Sequence, residues 1–333
     1  MRTLGALKIF FVTDVHGSEI CLRKFLNALK IYQVDVGIML GDLSGKMINP
    51  IVKQPDGCYM CNFLGQEVVA KNEEELSALK KRIAITGNYC FITTPEEVAE
   101  LLAEGKTITG RIDAQVRKIH LGTGKVEELF RRLVIERLRE WDNIIEEKLK
   151  GTGIKMFIAP GNDDILEVDE VLDSFKYAVN VDNRKVTVGD YEMITLSWSN
   201  FTPWDTPREC NEEELAKKID RLASQIDNME KAIFNFHAPP YGTNLDQAYK
   251  LSKDLVPSVS ELINVGSVAV LNAIKEHQPL LGLHGHIHES RGAQKIGRTL
   301  CVNPGSEYSE GILRGIIITL EKEKVKSFQF TSG

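Results

Sequence analysis

The sequence predicts an α/β fold with two sheets packed face to face, and three observations predict it. Short apolar runs recur along the chain, most end at once in a polar or glycine-containing turn, and a helical pattern joins the first run to the second. Runs of this length read as buried strands. Five of them, at 8–13, 36–40, 154–159, 232–236 and 280–283, form the frame. After the first, Ser18 stands where it caps a helix carrying Ile20, Leu22, Phe25, Leu26 and Leu29, which gives a strand, helix, strand opening. Further runs at 186–188, 192–198, 300–303 and 315–320 supply enough strands for the second sheet.

Residues 49–153 interrupt this rhythm and read as an insertion, mainly helical with one hairpin, inside a single domain spanning 1–333. The hairpin runs over 58–70 around Leu64-Gly65-Gln66. Asn72-x-x-Glu75 and Thr94-Pro95-Glu96-Glu97 have the form of capping boxes, so helices start there. From 126 to 149, Leu129, Leu133, Trp141, Ile145 and Leu149 share one face of a long helix ended by Gly151. Gly122-Thr123-Gly124-Lys125 lacks phosphate-loop spacing and reads as that helix's start.

Composition narrows the function classes. A chain of 333 residues with 43% hydrophobic content buries a full core. With 41 Lys and Arg against 47 Asp and Glu, the formal charge of -6 supplies no global field for duplex nucleic acid or an anionic membrane. No apolar run approaches the roughly 18–20 residues that span a bilayer, so the expectation is a cytoplasmic protein with no membrane partner. Six scattered cysteines make no disulfide framework, and Cys58-x-x-Cys61 lacks the second pair a zinc knuckle needs.

The chemistry gathers at the ends of the five runs. Asp14-Val15-His16 follows the first, and residues two apart at a strand end aim a carboxylate and an imidazole at one point. Asp42 follows the second in Gly41-Asp42, Asn162 the third in Gly161-Asn162-Asp163-Asp164, and His237 the fourth. His286 and His288 follow the fifth in Gly285-His286-Ile287-His288. Each piece alone has little specificity; the ordered set has much, because ligands of open α/β sheets gather outside the carboxyl ends of strands.

In the order D-x-H, G-D, G-N, H, G-H-x-H, these residues resemble the calcineurin-like metallophosphoesterase superfamily, and Asn303-Pro304-Gly305-Ser306 is similar to a turn in its small prokaryotic members. The match spans about 8–44 and 154–320 and leaves the insertion outside it. The resemblance implies a four-layer αββα sandwich of two mixed sheets holding two divalent ions, with Mn, Fe or Zn suited to this ligand mix. One ion would take Asp14, His16, Asp42 and His288, the other Asp42, Asn162, His237 and His286, with Asp42 bridging. Two ions bring about +4, two carboxylates about -2 and a bridging hydroxide about -1, so the centre keeps about +1 for a phosphate. Many members carry His after the Asn of the third motif to protonate the leaving oxygen, where this chain has Asp163. The expectation is that Asp163 orients a ligand imidazole or the water. His284 would donate the proton, a turn cap being its alternative role, and His237 completes the candidate catalytic set.

The leading expectation is therefore a phosphomonoesterase or phosphodiesterase acting on a phosphorylated small molecule or nucleotide. A nuclease of the same superfamily, or a non-catalytic scaffold with the same fold, is the alternative. Trp204 and Arg208 are placed to flank the substrate as a stacking plate and a phosphate clamp, and the segment from Pro239 to Asp246 runs near the metals. His120 and His277 read as surface residues. The long helix of the insertion offers a face through which two chains would pair.

Overall fold

The computed structural model describes residues 5–103, 124–252 and 255–333. The chain opens with β1 (Ala6–Thr13), α1 (Glu19–Ile31) and β2 (Val36–Leu40). The insertion follows as β3 (Ile48–Lys53), β4 (Tyr59–Phe63), β5 (Gln66–Ala70), α2 (Glu73–Ile85), β6 (Tyr89–Thr93), α3 (Pro95–Ala103) and α4 (Lys125–Leu149). Then come β7 (Lys155–Ala159), α5 (Val168–Asp173), β8 (Val179–Asn180), β9 (Lys185–Val188), β10 (Tyr191–Leu196), β11 (Ser199–Asn200), β12 (Glu209–Cys210) and α6 (Glu212–Ala223). The remainder is β13 (Ala232–Phe236), β14 (Gln247–Leu251), β15 (Pro257–Asn264), α7 (Val268–His277), β16 (Leu281–Leu283), β17 (Gly292–Ile296), β18 (Thr299–Asn303), β19 (Arg314–Glu321) and β20 (Lys324–Ser332).

Two mixed sheets of six strands each carry the fold among the described residues, in the orders β20-β19-β1-β2-β7-β8 and β17-β18-β16-β13-β10-β9. Strand alternation sorts their side chains into layers. Ile9 and Phe11 of β1, with Ile38 and Leu40 of β2, meet Met193, Ile233, Leu281 and Val302 from the other sheet. Phe10 and Val12 point the opposite way and pack under Phe25, Leu26 and Leu29 of α1 and Trp141 of α4. On the far side, Ile194, Phe234 and Phe236 lie under Leu215 and Ile219 of α6 and Ile274 of α7. Helix, sheet, sheet and helix are thus four layers sealed by three apolar seams. Each fully buried side chain of this kind contributes about 1.5–3 kcal/mol.

The insertion departs from expectation. The hairpin is present, β4 to β5 with Leu64 (φ 54) and Gly65 (φ 76) in the left-handed turn that matches strand twist. Yet it belongs to a four-stranded sheet, β5-β4-β3-β6, with its own small core of Ile51, Phe63, Leu76, Leu79 and Ile83. Pro50 is an unusual residue inside β3; it is tolerated because β4 pairs with β3 at Val52 and Lys53, beyond the proline. Both N-terminal caps form: Glu75 N–H donates to Asn72 Oδ1 (2.9 Å) and Glu97 N–H to Thr94 Oγ1 (3.3 Å). The apolar stripe of α4 is buried in the chain's own core, including Leu129, Leu133, Leu138 and Trp141, so that face is covered before any second chain could meet it. Gly124 caps α4 as expected, and His120 lies outside the described residues.

The insertion also grips the loops after β1 and β2. Ser18 stands at the N-cap of α1 but does not cap it; its hydroxyl donates to Ile85 O (2.8 Å) at the end of α2. Gly45 N–H donates to Tyr89 Oη (2.8 Å), and Arg137 of α4 donates to Gly17 O (2.9 Å) while lying over the Tyr89 ring. Among the described residues no helix is long and apolar enough to cross a membrane.

Candidate metal centre

β1, β2 and β7 run parallel in one sheet and β10, β13, β16 and β18 in the other, so their carboxyl ends open on the same rim. The chain leaves β1, β2 and β16 through left-handed turns: Asp14 (φ 54), His16 (φ 40), Asp42 (φ 42) and His286 (φ 68). Four non-glycine residues in this costly region, all of them predicted ligands, are backbone strain held by the surrounding structure. It follows that Asp14 and His16 converge through turns and not through strand alternation. Gly41 (φ +77) belongs to the same device, because a Cβ there would stand 2.1 Å from Nδ1 of His237, whose ring crosses it.

Six of the seven predicted side chains form two groups whose ligand atoms lie within 4.8 Å of one another: Asp14, His16, Asp42 and His288, and Asp42, His237 and His286. Asn162 joins the second group, its Oδ1 2.9 Å from His237 Nε2. Asp42 belongs to both. Its Oδ2 lies 3.6 Å from His16 Nε2 and its Oδ1 3.5 Å from His237 Nε2, so each oxygen faces a different group. Asp14 presents one oxygen in the same spirit. Oδ2 accepts from Thr13 Oγ1 (2.6 Å) and from the His286 N–H (3.0 Å), while buried Oδ1 has no hydrogen-bond partner and faces His288 Nε2 at 3.6 Å. His16 and His288 bring their Nε2 atoms to 3.1 Å, and Ser44 O takes the other side of the His16 ring at 3.3 Å. A buried acceptor left unpaired beside converging imidazoles is a costly arrangement on its own. It is a donor set of the kind divalent cations satisfy.

Charge supports the same picture. Burial, with Lys46 and His288 nearby, holds His16 well below its ordinary pKa, and burial with the charge of His237 pushes His286 down to about 3. Both are neutral and ready to ligate. Burial alone would lower His237 too, but the Asp42 and Asp14 carboxylates outweigh it and raise His237 to about 9. Burial pushes Asp42 up to about 6 despite that imidazole. His237 and Asp42 thus face each other as an oppositely charged pair, Nε2 to Oδ1 at 3.5 Å, where the resemblance places a cation.

Two expectations are corrected, those for His284 and Arg208. His284 is wholly buried, its Nδ1 donating toward Phe236 O (3.0 Å) and Ala238 O (3.1 Å), and burial pushes it down to about 4. It carries no second proton near neutrality and faces no open surface, so it is not the leaving-group donor. Asp163 N–H donates to Asp42 Oδ1 (3.0 Å), and its carboxylate pairs with Lys46 Nζ (2.7 Å). Arg208 is 1% exposed and donates to Asp164 O (3.0 Å), Ile165 O (2.9 Å) and Asp169, which makes it an internal brace and no phosphate clamp. Asp246 is likewise internal, accepting from Thr243, Gly266 and Asn264 to knot its own turn. His277 is half-buried, edge-on to Phe234.

No protein-family model matches the chain. The uncharacterized protein MJ1162 of Methanocaldococcus jannaschii is 35% identical over 173 residues, which are 51% of this chain and 69% of that protein. The chain belongs to the MJ1162 family. Two solved structures share the fold of this MJ1162-family chain over 98% of both partners: one at 15% identity with a TM-score of 0.55, and TT1561 of Thermus thermophilus at 14% identity with a TM-score of 0.50.

Several groups position these ligands in ways that no sequence spacing shows. Asp164 is 0% exposed and accepts from Leu43 N–H (2.9 Å), Ser44 N–H (2.7 Å) and Gly161 N–H (2.8 Å), tying the Asp42 loop to the Asn162 loop. Asn162 Nδ2 donates to Thr206 Oγ1 (2.7 Å), which donates to Glu209 Oε1 (2.5 Å), so the amide oxygen is the atom turned to the cluster. Asn303 Nδ2 donates to Gly285 O and Ile287 O, and Ser306 Oγ to Asp14 O (2.6 Å), so the 303–306 turn clamps two ligand loops together. Tyr308 lays its ring 4.5 Å from that of His16. Beside it a cavity of about 450 Å³, lined by His288, Ser306, Tyr308 and Glu310 among others, opens to solvent.

Proposed function

We propose that the chain is a metal-dependent phosphoric ester hydrolase with two cation positions, acting on a monoester or diester of a small molecule or nucleotide. The observation that carries this reading is Asp42, whose two carboxylate oxygens face His16 and His237 separately, at 3.6 and 3.5 Å. Asp14, His16, Asp42 and His288 would hold one ion, and Asp42, Asn162, His237 and His286 the other. Such a pair, when bound, polarises phosphoryl oxygens and lowers the pKa of water toward roughly 7. The protein's part is to hold His16 and His286 neutral, keep Asn162 oriented through Thr206 and Glu209, and leave the Tyr308 cavity open for the alcohol portion of the ester. The test is metal reconstitution followed by an aryl phosphate monoester, an aryl phosphate diester and a nucleotide panel. Hydrolysis that depends on added metal is expected; a metal-loaded protein inert toward all of them would favour the scaffold reading.

Two expected results follow from this site. Thr206→Val frees the Asn162 amide to turn its nitrogen inward, and loss of such an outer partner typically weakens metal binding about 10–100-fold; titration with a fluorescent chelator competitor measures it. The second concerns pH. His237 is raised from 6.5 to about 9 in the folded metal-free chain, so its contribution to stability is fully present below about pH 6.5 and is lost as pH rises through about 9. A cation must displace that proton, so apparent metal affinity rises with pH up to about 9, by roughly tenfold per unit for one proton. Calorimetric metal titrations in buffers of different ionisation heat report the proton directly, and a pH-independent affinity would contradict the assignment of His237.

A further inference from the structure

Lys46 and Asp163 form an ion pair that the ligand assignment leaves without a task. Lys46 Nζ lies 2.7 Å from Asp163 Oδ2, with the two side chains 25% and 17% exposed. The pair is not a remote surface bridge, because the Asp163 N–H donates to the bridging-position oxygen Asp42 Oδ1 at 3.0 Å. It therefore stands on the rim of the cluster, within reach of solvent and beside the carboxylate common to both groups. The backbone that presents Lys46 is anchored, since the preceding Gly45 donates to Tyr89 Oη at 2.8 Å.

The charge balance gives the pair a purpose. The centre retains about +1 once ions, carboxylates and hydroxide are counted, and a bare Asp163 beside Asp42 would cancel it. Lys46 restores that charge on the solvent side, where a phosphate arrives. An ammonium has three donors in a compact head, so it can hold a carboxylate and a phosphoryl oxygen together. We propose that Lys46, aimed by Asp163, binds a non-bridging phosphoryl oxygen of the substrate. This inference rests on the two-cation reading above.

The test is calorimetric binding of inorganic phosphate to the manganese-loaded full chain, with metal content measured for each protein. Lys46→Met is expected to keep its metals and to weaken phosphate by about 10–100-fold, the usual range for a lost charge-assisted hydrogen bond. Lys46→Arg should recover most of the affinity. Because the harm in Lys46→Met includes the exposed charge of Asp163, the double variant Lys46→Met/Asp163→Asn should still bind phosphate more weakly than Asp163→Asn alone, a difference that a merely structural bridge would not give. The same order should appear in KM for an aryl phosphate. Phosphate affinity unchanged in Lys46→Met, or loss of its metals, overturns the proposal while the two-cation reading stands. Wild-type protein that takes up no manganese overturns that reading and this inference with it.

Discussion

Asp42→Ala is expected to lower kcat/KM toward any ester substrate by on the order of 10³-fold or more, since the stabilisation a metal pair supplies amounts to several kcal/mol at about 1.4 kcal/mol per tenfold. The side chain is the one group shared by both halves of the cluster, and its oxygens lie 3.6 Å from His16 and 3.5 Å from His237. Its removal separates two half-sites, each left with fewer charges to hold a cation. Elemental analysis should find fewer than two ions per chain. Near-native circular dichroism would show that the loss is local. In the metal-free variant His237 loses the largest influence raising its pKa, so its pKa should fall from about 9. An NMR titration of the ring checks this independently of activity.

Gly87→Ala carries the second large effect and reaches the site from the insertion. Gly87 turns the chain between α2 and β6 with φ +80, and a Cβ there would meet His16 O at 2.1 Å. Backbone oxygen cannot step aside as a side chain can. The left-handed geometry costs an L-residue about 1–2 kcal/mol and overpacking about 1–3 kcal/mol more, so a fall in Tm of about 3–7 °C is expected for a chain of this size. Because His16 is itself left-handed, relief of the clash must move a ligand, and metal affinity should fall with stability. Gly57→Ala is the control: its φ is +89 but nothing lies within 4 Å of its Cβ position, so it shows the backbone cost without the contact. Equal behaviour of the two variants would mean that the insertion does not hold the His16 loop.

Much of the site could be read before any fold was known because its ligands sit at strand ends, where local patterning is strongest. The runs ending at Thr13, Leu40, Ala159, Phe236 and Leu283 all terminate strands as expected. What could not be read depends on partners distant in sequence. Arg208 looked available because it follows an aromatic loop, yet main-chain carbonyls from 164 and 165 bury it. His284 sits beside His286 in sequence, but the left-handed turn at His286 sends the two rings to different places. Thr206, Glu209 and Lys46 act through bonds spanning 44, 3 and more than 100 positions or through a shared carboxylate, and no spacing announces them. Strands β3 and β20 were missed for ordinary reasons: a proline inside the first, and an edge position with many exposed polar residues in the second.

The claim on which the rest stands is that Asp42 bridges two cations. Anomalous diffraction from crystals grown with manganese tests it most directly. Two peaks are expected, roughly 3.5–4 Å apart as in two-metal sites generally, one among Asp14, His16 and His288, the other among Asn162, His237 and His286, with an Asp42 oxygen on each. A single ion, or an Asp42 carboxylate that touches none, would contradict it.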